Sequence, residues 1–583
     1  MTAGEPVRVW APRAGRVDLH ADGVVPMVAQ GGGWWASPAP LAHGTDYAVA
    51  LDGGEPRPDP RSPWQPHGVH GPSRVFDTGR HSWSDGDWPG RDVRGGVVYE
   101  LHVGTFTPAG TLDAAAERLG HLVDLGVDVV ELMPVAAFPG ERGWGYDGVA
   151  LFAVHEPYGG PAALQRFVDA AHRHGLAVCL DVVYNHLGPA GNYLAEFGPY
   201  FTDAHHTPWG QAVNLDGEGA AEVRAFVVGN ALRWLRDFHL DALRLDAVHA
   251  LIDDSPRHLL AELSDAVGAL AERVGRPLSL IAESDLNDAR MVTPTRRGGL
   301  GMTAQWADDV HHAVHALLTG ERHGYYVDFG STDALATALT RVFVHDGGWS
   351  TFRGETWGSP VPDNVDGHRF VVFASDHDQV GNRALGDRPS ARLDAGGLAI
   401  EAALVLCSPF TPMVFMGEEW GAGTPWQYFT DHEPELGALV REGRRAEFGG
   451  HGWAELYGGE IEVPDPQAPA TFAASRLDWS EPARGDHARL LAWYRTLIAL
   501  RRREPDLASG DRGATRVEHT EDLVVLHRGA LEVHVNLGPD PVTVALGHGT
   551  AEVLAAWETA VADEGRLRLP GRSVAVVRPV PKE

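Results

Sequence analysis

The pattern of hydrophobic and polar positions changes twice along the chain. Residues 1 to about 90 contain short alternating runs, such as VRVWAP and RVDLHADG, separated by Gly/Pro turns, and this pattern is typical of a small β-sandwich. From GVVYELHV onward, strand-like runs alternate with amphipathic helical segments, and strand-like runs such as LEVHVNL and SVAVVRPV follow one another again near the C-terminus. We therefore predict an immunoglobulin-like N-terminal β-sandwich over 1–90, a central α/β domain over 91–510 and a C-terminal β-domain over 511–583.

The central domain contains eight strand-like runs separated by helical segments. The runs are GVVYELHV, VDVVELMP, LAVCLDVVYNH, LDALRLDAV, LSLIAES, MTAQWADD, RFVVFASDHD and PMVFMGEE. Capping residues and apolar periodicity predict helices over 111–126, 161–175 and 256–275. Eight such units predict a closed (β/α)8 TIM barrel. The segment at about 187–220 is too long and too aromatic for a plain loop, so we expect an inserted subdomain over the mouth of the barrel.

Charge and cysteine content restrict the partners and the compartment. The formal net charge of −31 argues against a nucleic-acid partner or an anionic membrane, because either would need a basic face. Cys179 and Cys407 lie in apolar runs without metal-ligand spacing, so free thiols in a reducing compartment are expected. The N-terminus lacks a signal-peptide pattern and no apolar run is long enough to span a bilayer, which predicts a cytoplasmic location. The sequence does not indicate an oligomeric state.

Several ionisable residues fall at the carboxyl ends of the predicted barrel strands. They are Asp181, His186, Arg244, Asp246, Glu283, His377 and Asp378. In a TIM barrel this end of each strand faces the catalytic mouth. Carboxylates gathered there suit glycoside hydrolysis with retention, in which one carboxylate attacks the anomeric carbon and a second carboxyl group protonates the leaving oxygen.

The local sequence also suggests how these carboxyl groups differ. Arg244 should lower the pKa of Asp246, as a nucleophile requires, whereas the apolar LSLIA run and neighbouring carboxylates should raise the pKa of Glu283. Any one of these residues alone could equally belong to a structural ion pair or an exposed strand end. Their joint occurrence in barrel order favours an active site.

Four of the segments that carry these residues resemble a known family. DVVYNH, LRLDAVH, IAES and SDHDQVGN are similar to the four sequence regions of the α-amylase superfamily, glycoside hydrolase family 13. The resemblance implies that Asp246 is the nucleophile, Glu283 the acid/base and Asp378 the stabiliser of the transition state. It also implies supporting roles for Asp181, His186, Arg244 and His377, and an aromatic platform at Tyr146. Asp376 departs from the family pattern, which has Asn before the His.

Longer segments outside these regions resemble one branch of the family. YELHVGTFTPAGTLDAA, YFTDAHHTPWGQAVNLD and EEWGAGTPWQYFTDH are similar to the branch that hydrolyses the α-1,4 bond beside the terminal trehalose of maltooligosyltrehalose. The resemblance implies release of trehalose and a shortened maltooligosaccharide. One alternative is a glucan branching enzyme or another transglycosylase with the same catalytic residues. Another is a non-catalytic glucan-binding protein, against which the complete set of three carboxylates counts.

Aromatic residues in the predicted mouth loops are candidates for stacking against sugar rings. The set comprises Trp209, Trp306, Trp426 and Tyr428, with Trp144 and Trp357 in similar segments. His311 and His315 have the spacing of a two-histidine metal site but no evident third ligand, and Asn185 matches a calcium ligand of many α-amylases without convincing partner carboxylates. We therefore expect neither a metal nor a cofactor.

Overall fold

The computed structural model describes residues 4–448, 456–457, 459, 461–547 and 549–580. Eight parallel strands form a closed barrel in chain order. The strands are β1 (Val98–Leu101), β2 (Val129–Leu132), β3 (Ala177–Val182), β4 (Ala242–Leu245), β5 (Ser279–Ala282), β6 (Ala304–Trp306), β7 (Phe370–Phe373) and β8 (Thr411–Phe415). The predicted TIM barrel is confirmed.

The barrel interior explains why these runs are both short and apolar. Side chains of alternate residues fill it, among them Val98, Val129, Ala177, Cys179, Ala242, Ile281, Ala304, Val371, Phe373 and Met413. Asp181 of β3 and Arg244 of β4 are in register with each other and lie two residues beyond Cys179 and Ala242, toward the carboxyl ends. Because all eight strands are parallel, the polar residues that follow the apolar layer meet at one mouth.

Helices cover the outside of the barrel. Those described are α1 (Val103–Phe106), α2 (Leu112–Ala116), α3 (Leu119–Leu125), α4 (Gly160–Arg173), α5 (Leu194–Phe197), α6 (Ala220–Asp237), α7 (Leu259–Val274), α8 (Asp308–Thr319), α9 (Thr332–Arg341), α10 (His377–Gly381), α11 (Ala395–Leu406), α12 (Pro434–Phe448), α13 (Pro469–Ala474), α14 (Gly485–Arg503) and α15 (Pro505–Ala508).

Two predicted helices differ from the structure at their boundaries. The helix over 111–126 is divided into α2 and α3, and the break shifts the helical phase so that Leu122 is buried while Val123 is 42% exposed. The helix predicted to open at 256 begins at Leu259 instead. The backbone N–H of Leu259 donates to Asp253 Oδ2 at 2.6 Å, so the preceding residues form a capping loop.

Antiparallel sheets precede and follow the barrel along the chain. The N-terminal strands are Arg8–Trp10, Val17–His20, Val24–Pro26, Val28–Gly31, Trp34–Ala36, Asp46–Leu51 and Ser73–Arg74. The C-terminal strands are Thr515–His519, Leu523–Arg528, Leu531–Asn536, Val542–Ala545, Thr550–Ala556, Val561–Asp563, Arg566–Leu569 and Ser573–Val580. The C-terminal sheets pack beside α9 and α11.

Three two-stranded hairpins arise from the loops of the barrel. They are Ala136–Ala137 with Ala150–Val154, Phe201–Thr207 with Gly210–Val213, and Trp349–Ser350 with Glu355–Thr356. The second falls in the segment predicted to be inserted. Its base packs against the N-terminal sheet, where the rings of Trp10 and Tyr200 lie 5.4 Å apart. These hairpins shape the rim of the mouth.

Two further observations bear on the sequence-based expectations. Cys179 and Cys407 are buried free thiols. Among the described residues, no helix combines the length and the apolar character needed to cross a bilayer.

Candidate active site

Arg244 lies at the centre of the charged cluster at the barrel mouth. Its side chain is fully buried, and Nη1 donates to Asp181 Oδ2 at 2.9 Å and to Asp246 Oδ1 at 2.8 Å. Its Nη2 lies 3.3 Å from Glu283 Oε2. The guanidinium also covers the ring of Trp306, with Cζ 4.2 Å from the ring centroid. One buried cation therefore brings three carboxyl groups together.

Asp246 and Glu283 are oriented by the turn that follows β4. Asn185 Nδ2 donates to Asp246 Oδ2 at 2.9 Å, so both carboxylate oxygens of Asp246 accept hydrogen bonds. Ala247 adopts a positive φ of 38°, a conformation that non-glycine residues rarely adopt. In this conformation its N–H donates to Glu283 Oε2 at 2.5 Å. The strained residue thus links the two carboxyl groups through the backbone.

The two carboxyl groups that contact Arg244 from neighbouring strands have raised pKa values. Burial is the main cause for Glu283, whose pKa rises to about 7 because Asp246 and Asp378 reinforce the effect while Arg244 opposes it. Burial likewise raises the pKa of Asp181 to about 6, against the lowering effect of Arg244. Near neutral pH a substantial fraction of Glu283 is therefore protonated and able to donate a proton.

Asp378 lies on the first turn of α10, a helix that begins where β7 ends. Its side chain is 44% exposed, and Oδ1 accepts a hydrogen bond from Asn382 Nδ2 at 3.1 Å. Asp376 caps this helix, because Oδ1 accepts the N–H of Gln379 at 2.7 Å. The departure from Asn at position 376 therefore preserves the cap, since Asp and Asn are equally good N-caps.

His377 joins this helix to the opposite side of the mouth. Its Nδ1 donates to Glu100 Oε1 at 2.5 Å, and its Nε2 lies 2.7 Å from the hydroxyl of Tyr146. That hydroxyl donates to Asp181 Oδ2 at 2.7 Å. Although burial disfavours the charged form, Glu100 and Asp378 raise the pKa of His377 to about 10. Imidazolium at position 377 is thus held in place through two hydrogen-bonded partners.

A pocket of about 550 Å³ opens beside Asp246 and Asp378. Its walls include Trp144, Tyr146, His186, Trp209, His377 and Tyr428. Trp209 is 50% exposed on the second hairpin, and its ring stacks on His186 at 4.5 Å. His186 Nε2 lies 3.1 Å from the carbonyl oxygen of Tyr146. The pocket has both aromatic faces and hydrogen-bonding groups, which suits a sugar chain.

Two aromatic residues predicted to contact substrate do not reach the cleft. Trp306 is 2% exposed inside the barrel, and the guanidinium of Arg244 occupies its face. Trp426 is completely buried and stacks behind Trp144 with ring centroids 5.4 Å apart. Neither ring faces the pocket as predicted, because Trp306 lies under the buried Arg244 and Trp426 lies behind Trp144, which lines the pocket.

Sequence reasoning missed other residues around the site. Glu100, in the apolar run of strand β1, orients His377 through a hydrogen bond. The two residues are 277 positions apart in the sequence. Trp357, a candidate from its segment, donates from Nε1 to the carbonyl oxygen of Asp285 at 2.8 Å. A carboxylate inside a predicted buried strand is costly unless it has a partner, and this cost could have indicated a role for Glu100.

Outside the mouth, the two histidines with metal-site spacing make other contacts. His311 donates from Nδ1 toward the carbonyl oxygen of Ala374 at 2.5 Å, and His315 Nε2 lies 3.0 Å from Glu321 Oε2, so both are engaged in the core. Within the described part of the chain, one group has ligand atoms close enough to share an ion, namely His205, Asp216 and Asp254. His205 and Asp216 already pair with each other at 2.9 Å.

Comparisons with known proteins agree with this geometry. The family model "Alpha amylase, catalytic domain" matches residues 72–208, and "Domain of unknown function (DUF3459)" matches residues 510–576. A crystal structure of a Salmonella typhimurium protein, whose name assigns it to the alpha amylases, superposes with a TM-score of 0.90 at 38% identity, covering 99% of this chain and 98% of that chain.

Curated relatives extend the similarity to the whole chain. The malto-oligosyltrehalose trehalohydrolase of Arthrobacter ramosus is 55% identical over 579 residues, which cover 98% of this chain and 99% of that protein. The enzyme of the same name from Rhizobium sp. (strain M-11) is 52% identical over 583 residues, covering 98% and 97%. The chain therefore belongs to the malto-oligosyltrehalose trehalohydrolase family of the α-amylase superfamily.

Proposed function

We propose that the protein is a retaining glycoside hydrolase that cleaves the α-1,4 bond beside the terminal trehalose of maltooligosyltrehalose and releases trehalose. The observation that carries the reaction type is the contact of Arg244 with both Asp246 and Glu283, of which Glu283 has a pKa near 7. The names of the near-full-length relatives supply the substrate.

In the proposed reaction, Asp246 attacks the anomeric carbon while Glu283 protonates the leaving glycosidic oxygen. A covalent glycosyl-enzyme results, and the aglycone leaves with the proton from Glu283. Glu283, now a carboxylate, takes a proton from water as the water attacks the anomeric carbon and releases Asp246. The orientation of Asp246 by Arg244 and Asn185, at 2.8 and 2.9 Å, supports its role as the nucleophile.

Asp378 has the proposed role of stabilising the positive charge that develops on the sugar in both steps. Its exposure in the pocket, beside the cationic His377, supports direct contact with a sugar in that position. His377, His186 and Tyr146 would bind the same sugar through hydrogen bonds and ring contact. Trp209 and Tyr428, on the pocket wall, would bind sugars further along the non-reducing side.

The aglycone side of the site lies beyond Glu283, outside this pocket. The third hairpin is anchored there, because Arg353 pairs with Asp285 and its guanidinium covers Trp357 at 4.2 Å. At its tip Phe352 is 54% exposed, with its ring 6.1 Å from that of Tyr325. The Tyr325 hydroxyl donates to Gln379 Oε1 at 3.2 Å, beside Asp378. Two exposed rings between the segment that follows Glu283 and the helix that carries Asp378 would suit the apolar faces of a disaccharide leaving group.

Product analysis tests the proposal directly. Wild-type protein and a Glu283→Gln variant are incubated with maltotriosyltrehalose, and the products are separated by chromatography. We expect free trehalose and maltotriose from the wild type and no release by the variant. Longer or branched glucans would identify a transferase instead. Equal efficiency on maltopentaose and maltotriosyltrehalose would contradict the trehalose preference.

A further inference from the structure

Helix α12 contributes a buried arginine to the catalytic region from outside the barrel. The Arg444 side chain is 9% exposed. Its Nη2 donates to the carbonyl oxygen of Gly381 at 2.7 Å and to that of Arg383 at 3.3 Å. Gly381 is the last residue of α10, the helix whose first turn carries Asp378. The final carbonyl groups of a helix have no partner within the helix, so Arg444 satisfies the end of α10.

The same guanidinium also contacts the wall of the pocket. It lies 5.2 Å from the ring of Tyr428, which lines the pocket, and 4.6 Å from the ring of Phe448. Its charged neighbour is Glu447 at 3.2 Å, whose side chain is 54% exposed. Arg444 therefore lies between an aromatic wall of the sugar pocket and the backbone of the Asp378 helix.

A tryptophan ring packs directly against the backbone of α10. A Cβ atom on Gly381 would lie 2.1 Å from Cη2 of Trp144, so the helix backbone packs directly on that ring. Trp426, which stacks behind Trp144, donates from Nε1 to the carbonyl oxygen of His377 at 3.0 Å. Arg444 and the two tryptophans thus contact the α10 backbone at both of its ends, His377 and Gly381.

Asp378 itself has few side-chain restraints. Its carboxylate is held by Asn382, a residue of the same chain segment, at 3.1 Å, and His377 Nε2 lies 3.6 Å away. The position of the carboxylate therefore follows the position of the α10 backbone. A displacement of about 1 Å in a catalytic group is enough to cost roughly a hundredfold in rate.

We propose that Arg444 is a positioning residue that fixes α10, and with it Asp378, against the sugar pocket. The inference rests on the proposed role of Asp378 in glycoside hydrolysis. Arginine suits this position because Nη2 reaches two carbonyl oxygens, Nη1 reaches Glu447 and the face of the guanidinium covers an aromatic ring, and lysine does not combine these contacts. Loss of the guanidinium should leave the fold intact but allow Asp378 to move away from the developing charge.

The test compares Arg444→Met and Arg444→Lys with Arg445→Met as the matched control. Arg445 is the next residue of α12 and is exposed. Hydrolysis of maltotriosyltrehalose is followed, and kcat and KM are separated. We expect kcat to fall about 10- to 100-fold in Arg444→Met and by less in Arg444→Lys, while KM changes little. The control should match the wild type.

Two further readouts distinguish positioning from general stability. α-Maltotriosyl fluoride has a leaving group that needs no protonation, so Arg444→Met should lose as much rate on the fluoride as on the natural substrate. Added guanidinium ion should restore part of kcat in Arg444→Ala, and the same concentration of sodium chloride should not. If Arg444→Met does not fold, the kcat of Arg444→Lys and the guanidinium rescue of Arg444→Ala still test the inference.

Either of two results would overturn the inference: kcat within twofold of wild type in Arg444→Met, or equal losses in Arg444→Met and Arg445→Met. Failure of the proposed function looks different, because the wild-type protein itself would then release no trehalose.

Discussion

Strand β4 carries buried charges at both of its ends. The cluster before the strand has all its hydrogen-bonding groups paired, whereas the cluster after it, at the barrel mouth, does not. Asp241, just before the strand, is fully buried. Its Oδ1 accepts hydrogen bonds from Trp88 Nε1 at 2.8 Å and Arg276 Nη1 at 2.7 Å. Its Oδ2 accepts the N–H of Val178 at 2.9 Å and lies 3.0 Å from His172 Nε2. Both oxygens are thus fully used.

The cluster at the carboxyl end is incompletely paired. Nε and Nη2 of the buried Arg244 have no hydrogen-bond partner among the described residues, although Nη2 faces Glu283. The side chains of Asp246, Glu283 and Asp378 are 11%, 18% and 44% exposed. Burial of charge is common to both ends. Unused donors and a carboxyl group with a pKa near 7 occur at the mouth, where catalysis takes place in TIM barrels.

The largest expected effect is the loss of activity in Asp246→Asn. Removal of a nucleophile should lower kcat on maltotriosyltrehalose by about 10⁴- to 10⁶-fold. The thermal midpoint should stay near the wild-type value or rise, because one carboxylate of a crowded cluster has been neutralised. Kinetics and calorimetry on the same preparation check both parts. A large fall in the thermal midpoint would mean that the mouth cluster is structural after all.

Asp241→Asn should show the opposite behaviour. Breaking a buried ion pair from one side costs about 3–5 kcal/mol of stability, so the thermal midpoint should fall clearly. kcat measured well below that midpoint should remain within about twofold of wild type, because Asp241 lies at the far end of the strand. Asp113→Asn is the control. Its pair with Arg166 is half exposed and such pairs contribute about 1 kcal/mol or less.

A smaller effect is expected in the pH dependence of stability. The folded protein holds the Glu283 proton up to about pH 7, whereas an unfolded chain releases it near pH 4.3. Wild-type stability should therefore fall as pH rises between these values. Glu283→Gln lacks this titration, so its stability relative to wild type should increase by about 4 kcal/mol across the window and then stay constant. Thermal midpoints at pH 5 and pH 8 measure the change, and a pH-independent difference would argue against the raised pKa.

Glu100→Gln should give the smallest effect and refine the comparison. Glu100 is buried and paired like Asp241, but its partner His377 faces the pocket. Loss of a hydrogen bond to a charged group costs about 1.5–3 kcal/mol, so kcat should fall by about 10- to 100-fold. Fluorescence titration with maltotriose should show how much of the effect is in binding. An unchanged kcat would mean that Glu100, like Asp241, has only a structural role.

The main features of the fold and part of the site were predictable because they depend on local pattern. Apolar runs of a few residues followed by Asp181, Arg244 or Glu283 mark both a barrel strand and its catalytic end. The rule works because parallel strands bring all their carboxyl ends to one mouth. Within that mouth, the local sequence suggests different roles for Asp246 and Glu283, and the family resemblance supplies the role of Tyr146.

The remainder depends on contacts between distant segments. Glu100 and Glu131 occupy similar apolar runs and are equally buried, yet Glu100 contacts His377, whereas Glu131 interacts with the thiol of Cys179. Nothing in either run separates them. Trp306 and Trp426 resemble sugar platforms in sequence, but Arg244 and Trp144 cover their faces. The sequence of a loop does not show whether an aromatic side chain faces the pocket or packs behind the residues that line it.

The proposed mechanism requires a covalent bond between Asp246 and the sugar. A 5-fluoro-α-maltosyl fluoride, which slows breakdown of the glycosyl-enzyme more than its formation, would be incubated with wild-type protein and with Asp246→Asn. Intact mass and peptide mapping then locate the adduct. We expect one added glycosyl group on Asp246 in the wild type and none in the variant. An adduct on another residue, or the same adduct in Asp246→Asn, would contradict the proposed mechanism.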